Sequence, residues 1–480
     1  MRVANVVAGR RDESSPVWSD LVDPCTGDTV GQAPESTPDE VAGAASAARQ
    51  AAMSWSAATP GQRQRALLRL ADAVEAEADR FVRTEVLTTG KPLASTLDEE
   101  VLAAADHLRF FAGAARLHDG IGAAEYLPGH TSYVRREPIG VTGHLLPSNY
   151  PLLMAVWQAA PALAAGNAVV LKPAQPTPAT ASLLAEAAAE FLPAGTLSVV
   201  CGGPETGRAL IDHVDAVALT GSTRAGVEVA RAAATSVTRV HLELGGNAPA
   251  VVFADVDPWD TARNIAEAAF FNAGQDCTAV TRVLVEEPIA AEFTRALTAH
   301  AEATVVGPPA HTDAFCGPLI TKAHFDRVLA VLGRLPDHVK ILAGGKRERD
   351  VGYFLAPTVL AGVEQHDEVV TEELFAPVVT VQTFATEQEA VALANGVPQA
   401  LTASVWTSDH SRAHRFTAAL EAGCVWVNTH MRFTPEMPHG GFKNSGYGKD
   451  LSRYALDEYT RVKHVMHHFG SAPGPHLSPG

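Results

Sequence analysis

Between residues 140 and 244 the chain alternates short apolar runs with Ala-rich stretches of helical length, and this alternation restricts the fold more than any other feature. The runs are 140–146, 167–171, 197–200, 216–219 and 239–244; the stretches 150–165, 178–191, 206–212 and 225–234 between them read as helices. Pro151 falls where a first helical turn accepts proline. Runs that are apolar along their length are buried on both faces, so they predict a parallel sheet covered by helices. A second series of the same kind starts at Ala250-Val251-Val252-Phe253 and runs to about Val427. The fold class expected is α/β, and 480 residues call for more than one domain.

Ahead of these series, 39–53, 61–82 and 94–118 read as helices. In 121–141, Tyr126, Tyr133 and Val134 alternate with polar residues, the pattern of a hairpin or extended arm. The free edge of such an arm needs a partner, which predicts a homo-oligomer, dimer or tetramer. The segment from Ser471 is rich in Gly and Pro and reads as a flexible tail. With 37 Lys and Arg against 54 Asp and Glu, the net charge of −17 argues against nucleic acid or anionic membrane as partners. The five cysteines, Cys25, Cys201, Cys277, Cys316 and Cys424, are scattered and odd in number, which argues against a disulfide framework and a zinc site, and no metal is expected. Residues 1–5 lack the start of a signal peptide, and no long apolar run spans a membrane, so the expected location is cytoplasmic.

Ligands of parallel sheets bind at the carboxyl ends of the strands. Three such ends carry Pro147-Ser148-Asn149, Lys172-Pro173 and Thr220-Gly221-Ser222. Lys172 is placed to bind ribose hydroxyls, and Gly221-Ser222 precedes a helix whose N-terminus attracts phosphate. The glycine-rich dinucleotide fingerprint is missing, and each fragment alone also reads as an ordinary loop. Cys277 lies in Asn272-Ala273-Gly274-Gln275-Asp276-Cys277-Thr278, where Gly274 permits a tight backbone. A nucleophilic thiol must be accessible and partly ionised, and Asp276 opposes ionisation unless it points away or serves the substrate. The other four cysteines read as inert. Glu243, 34 positions upstream of Cys277 and followed by Gly245-Gly246, puts a carboxylate beside a sheet end, which serves a site with the thiol or a surface salt bridge. Asn149 reads as an oxyanion donor, a turn residue or a helix cap.

Six motifs in order resemble the NAD(P)-dependent aldehyde dehydrogenase superfamily over about residues 5–467: Pro147-Ser148-Asn149-Tyr150-Pro151, Leu171-Lys172-Pro173, Thr220-Gly221-Ser222-Thr223, Glu243-Leu244-Gly245-Gly246, Gly274-Gln275-Asp276-Cys277 and Glu373-Leu374-Phe375-Ala376-Pro377. The resemblance implies a Rossmann-type coenzyme domain (1–120 and 142–245), an α/β catalytic domain (246–430), a β oligomerisation arm with a C-terminal segment (121–141 and 431–470) and a flexible tail (471–480). It implies that Cys277 attacks an aldehyde, that Asn149 and the Cys277 backbone N–H hold the oxyanion, and that Glu243 activates water to release an acid rather than an acyl-CoA. Asp450 matches an acidic position assigned to proton relay. Lys172 and Glu373 would bind the two riboses, Ser222, next to Gly221, the pyrophosphate, and Phe375 would lie near the nicotinamide of NAD. Ser148 and Gln175 belong to the same coenzyme-binding set. Ser148 stands where most relatives have Trp, Ala376 where they have Gly and Asn247 where they have Lys. Gln175 replaces a Glu that repels a ribose phosphate, which leaves NADP open beside NAD.

Two further segments, 110–116 and Trp426–His430 with Glu436–Lys443, resemble γ-aminobutyraldehyde and betaine-aldehyde dehydrogenases. The substrate they imply is an ω-aminoaldehyde such as 4-aminobutanal, whose cationic tail needs carboxylate or aromatic partners. Asp276, Asp106, Glu100, Trp157 and Trp426 are the candidates. The alternatives are a semialdehyde or aromatic aldehyde dehydrogenase of the same mechanism, a thiol esterase, and a catalytically silent coenzyme-binding scaffold.

Overall fold

The computed structural model describes residues 1–117 and 120–470, so the tail expected at 471–480 lies outside the described residues. The five apolar runs form five neighbouring parallel strands in the order Leu197–Val199, Ala168–Lys172, Val141–Leu145, Ala216–Gly221, Arg239–Leu244. Antiparallel additions complete eight strands: Asn5–Val7 and Arg10–Asp12 at one edge, Gly446–Tyr447 at the other. The chain builds outward from Val141–Leu145 in one direction and then returns to its other side with Ala216–Gly221. Between these two strands the sheet has its switch point, where the loops leave in opposite directions and open a crevice.

The second sheet has seven strands in the order Lys340–Ala343, Thr358–Ala361, Val378–Phe384, Val280–Glu286, Ala248–Val252, Thr402–Trp406, Cys424–Val427. Only Lys340–Ala343 runs antiparallel. Phe253, Phe384 and Phe416 pack edge to face against this sheet, each wholly buried. A third, antiparallel sheet joins Ala124–Leu127, His130–Pro138 and Thr460–His468, so an extended hairpin occupies most of 121–141, Val141 itself belonging to the first sheet, and the C-terminal segment pairs along it.

The N-terminal helices start where the sequence provides caps. Thr37 with Glu40, and Thr59 with Gln62, form capping boxes ahead of Pro38–Ala57 and Pro60–Ala76. The helix expected over 61–82 is two helices, since Glu77 leaves helical geometry and Ala78–Thr89 begins anew. Helix 94–118 is also revised. It opens with one turn at Leu93–Thr96, widens to a π-helical stretch at Leu97–Leu102 and ends at Ala114. The widening seats Glu100 in the interior, where it bonds Lys91 and accepts from the Leu153 N–H at 3.0 Å. No helix among the described residues is long and apolar enough to cross a membrane.

Candidate active site

A cavity of about 1110 Å³ occupies the crevice at the switch point and continues against the second sheet. Ser148, Asn149, Gly221, Ser222, Glu243, Asp276, Cys277, Glu373, Phe375 and Asp450 all line it, so residues spread over 300 positions meet at one surface.

The thiol is carried by a strained turn. Asn272, Ala273 and Gly274 all have left-handed backbone, with φ of 50°, 56° and 65°. Two amides clamp that turn. Asn149 donates its Nδ2 to the Gln275 carbonyl at 2.9 Å, and Asn272 donates its Nδ2 to the Asn149 carbonyl at 3.2 Å. Gln275 reaches across to Pro318 and Ile320, fixing the far side. An amide NH₂ has two donors, so Asn149 keeps one N–H for the cavity while the other sets its plane. A side chain at Gly246 would collide with the Cys277 carbonyl, which lets Glu243's strand pass directly beside the nucleophile.

Cys277 is half-buried, and its thiol is pushed well above its usual range, first by burial and then by the charges of Asp276, Glu373 and Glu243. Glu243 is buried with neither oxygen hydrogen-bonded, and its carboxyl is pushed up by burial and then by Asp450. Glu373 accepts from the Gly246 N–H at 3.1 Å and is pushed up to about 8, chiefly by burial.

Asp276 faces the cavity, but its carboxylate is already engaged. Oδ1 accepts from the Thr278 N–H at 2.7 Å and hydroxyl at 2.6 Å, and Oδ2 accepts from the Tyr150 hydroxyl at 2.7 Å. It orders the turn that holds Cys277. The other two acidic candidates are corrected: Asp106 is exposed and outside the cavity lining, and Glu100 is buried against Lys91. Trp157 lines the cavity, whereas Trp426 does not. Trp426 lies behind the wall, its indole N–H on the Arg432 carbonyl at 3.0 Å and its ring edge-on to Phe433 at 5.4 Å.

Lys172 and Gln175 also lie off the cavity lining, on a neighbouring shelf. Lys172 donates to the Gly202 carbonyl at 3.1 Å, and burial lowers its amine to about 8. Gln175 donates to Glu35, whose other oxygen accepts from the Gly203 N–H at 2.9 Å. Asn247 is an anchor within the fold, bonded to the Val370 carbonyl at 2.7 Å and to Thr281 at 2.5 Å.

Sequence reasoning missed an aromatic wall. Trp157, Phe433 and His439 pack mutually edge-on with centroids 5.4–6.0 Å apart, and all three line the cavity. Burial lowers His439 to about 4, so this wall is uncharged at neutral pH. Phe433 and His439 lie in a loop segment with no periodicity to mark it, so only the fold reveals their meeting with Trp157. His241, two residues before Glu243 on its strand, was likewise not singled out.

Comparison with known proteins agrees with this geometry. The chain is 41% identical over 460 residues to a phenylacetaldehyde dehydrogenase of Pseudomonas fluorescens, covering 93% of this chain and 92% of that one. The crystal structure of an NAD-dependent aldehyde dehydrogenase from Sinorhizobium meliloti superposes with a TM-score of 0.95 at 36% identity, covering 100% of this chain and 97% of that one. A betaine aldehyde dehydrogenase from Staphylococcus aureus, solved with NAD+, superposes with a TM-score of 0.94 at 32% identity, covering 99% of each chain. The sequence profile of the aldehyde dehydrogenase family matches residues 11–465, nearly the whole chain and every strand end that lines the cavity, and the chain belongs to that family.

Proposed function

We propose that the protein oxidises an aromatic aldehyde of the arylacetaldehyde type to its carboxylic acid with NAD+. The observation that carries the substrate class is the neutral three-ring wall of Trp157, Phe433 and His439, beside an Asp276 whose carboxylate is already engaged by three donors. Edge-on rings favour a fourth ring in the same arrangement. The likeness to a phenylacetaldehyde dehydrogenase supports the same reading.

The residues present suit NAD+. Ser222 caps the helix Thr223–Ala234 at the cavity edge, an N-terminus suited to a pyrophosphate. A side chain at Gly245 would meet the Glu373 carboxylate, so the backbone leaves that carboxylate room beside Phe375. Bound NAD+ supplies the hydride acceptor.

In this reading Cys277 gives up its thiol proton to the solvent of the cavity as Sγ bonds to the carbonyl carbon and the π pair moves to oxygen, facing the free N–H of Asn149 and the Cys277 backbone N–H. The tetrahedral adduct collapses to a thioester as hydride leaves. Glu243 then takes a proton from water, whose oxygen bonds to the acyl carbon as the C–S bond breaks.

An ω-aminoaldehyde is the second reading. It is favoured by Glu99, an exposed carboxylate on the cavity wall, and by the likeness to a betaine aldehyde dehydrogenase. The deciding experiment is NADH formation with phenylacetaldehyde, butanal and 4-aminobutanal, with Cys277→Ala as the blank. The reading requires a kcat/KM for phenylacetaldehyde at least about tenfold above butanal. A preference for 4-aminobutanal would overturn it.

The three-stranded arm supports a homo-oligomer as well. Tyr126, Leu127, Val462 and Met466 are exposed on it. Sedimentation velocity tests this: a monomer at micromolar concentration would reject it.

A further inference from the structure

His241, Glu243 and Asp450 are buried side by side with their facing atoms unbonded: both nitrogens of His241, both oxygens of Glu243 and Oδ1 of Asp450. His241 Nε2 lies 3.1 Å from Asp450 Oδ1, out of line for a hydrogen bond, and 3.9 Å from Glu243 Oε1, too far for one. The placement follows from the strands. Residues 241 and 243 share a face of Arg239–Leu244, and the pairing of that strand with Gly446–Tyr447 brings the loop carrying Asp450 over them. A side chain at Gly448 would collide with His241 Nδ1, so the Nδ1 side of the ring packs against that backbone and Nε2 is left toward the carboxylates. Buried polar atoms are nearly always paired, and three unpaired groups in reach of one another indicate a use.

We propose that His241 takes from Glu243 the proton it gains in deacylation, and that Asp450 holds the imidazolium that results. This rests on Glu243 being the base, as proposed above. Each hydrolysis leaves Glu243 protonated, and in a site that holds its carboxyl well above the ordinary range the proton does not leave unaided. Transfer breaks the Glu243 O–H bond and forms an N–H bond at Nε2, the one nitrogen that faces both carboxylates. The positive charge then sits against Asp450, which lines the cavity and passes the proton to its solvent. The other groups facing this cluster leave the transfer to His241. Tyr459 stacks on the ring at 6.4 Å and is held un-ionised, and His144, which also stacks on Tyr459, is lowered to about 3 by burial. His439, paired through its backbone with Asp450, is lowered to about 4. Lys449 is tied to the Gly440 carbonyl at 2.5 Å and opposes the rise at Glu243, while Glu458 adds to it.

The test uses the coenzyme-free protein and 4-nitrophenyl acetate, which acetylates the thiol without NAD+ or any aldehyde. The nitrophenolate burst reads acylation, and intact mass reads the lifetime of the acetyl-enzyme between pH 6 and 9. His241→Gln is expected to acetylate at the parent rate and to lose the acetyl group about tenfold more slowly at pH 7, with the gap closing as pH rises and Glu243 sheds its proton directly. Asp450→Asn, which keeps the imidazole but removes its counter-charge, is expected to fall between the two. Parent-like lifetimes in His241→Gln at every pH, while Glu243→Gln prolongs them, would overturn the proposal. So would failure of His241→Gln to acetylate, which would make the residue a packing element of the thiol site. A parent-like lifetime in Glu243→Gln would instead remove the general-base reading on which the proposal stands.

Discussion

Glu35 accepts a hydrogen bond from the side-chain amide of Gln175, 140 positions along the chain, so a carboxylate stands beside the neutral residue that seemed to open the site to NADP. Glu35 also lies within electrostatic reach of Lys172, one of the two residues expected to bind the riboses of the coenzyme. The charge lost at 175 is thus restored from the loop before the first helix, and the expected coenzyme is NAD+. Glu35→Gln keeps the size of the side chain and removes the charge that would repel a ribose phosphate. The ratio of NADP to NAD+ affinity, read by fluorescence titration, is expected to rise about tenfold. An unchanged ratio would show that Glu35 only braces Gly203.

The thiol of Cys277 is neutral at pH 7 in the coenzyme-free protein, because burial first and the neighbouring Asp276 second oppose its ionisation. Its alkylation by iodoacetamide should climb with pH without a plateau at or below 9.0, the ordinary thiol value. Glu373 is pushed up to about 8, so its charge acts only above that pH. Removing a negative charge favours the thiolate, so Glu373→Gln should match the parent below pH 8 and react faster above it. A plateau near pH 7 in the parent would mean that another group stabilises the thiolate.

The parallel sheets and the residues at their strand ends were legible because each leaves a local mark: an apolar run, then a Gly or a polar residue. Asn149 and Glu243 stand at or just past such ends, whereas Cys277 was marked by the Gly-bearing turn ahead of Val280–Glu286. What the sequence hid depends on contacts across long separations. Asp276 read as a substrate partner because its two local bonds to Thr278 and its distant one to Tyr150 cannot be weighed from composition. Asp106 and Glu100 sit on a segment whose register is altered by the π-helical stretch, which turns Glu100 inward onto Lys91 and leaves Asp106 in solvent. Phe433 and His439 carry no periodic signal, and their role emerges only where the C-terminal loop crosses Trp157.

Lys91 is the one cation in a buried cluster that stands behind the active site. It bonds Glu100, lies 3.7 Å from Glu85 Oε1, and sits 4.4 Å over the ring of Tyr150. Lys91→Met leaves two carboxylates buried without a counter-charge and is expected to cost about 3–5 kcal/mol by denaturant unfolding at pH 7. Burial and Glu100 already push Glu85 above its ordinary range. In the variant the folded state therefore binds more protons than the unfolded chain, so its stability falls as pH rises and part of the loss returns between pH 7 and 5. A cost below about 1 kcal/mol would show that the cluster relaxes or admits water.

Phe433 closes the aromatic wall and is 40% exposed, so removing its ring tests substrate recognition with little demand on the fold. Its loss takes away an edge-on partner for the substrate ring and apolar cover for one face of the cavity. Together these are worth about 1–2 kcal/mol, or about tenfold in binding. Phe433→Ala should therefore raise KM for phenylacetaldehyde about tenfold while leaving KM for butanal within about twofold. Trp157 and His439 remain in place in that variant, and Phe433 supplies no group to the bond-making steps, so kcat should hold for both aldehydes. Equal losses for the two would mean that Phe433 shapes the loop and not the ring site, and the aromatic reading of the substrate would then lose its main support.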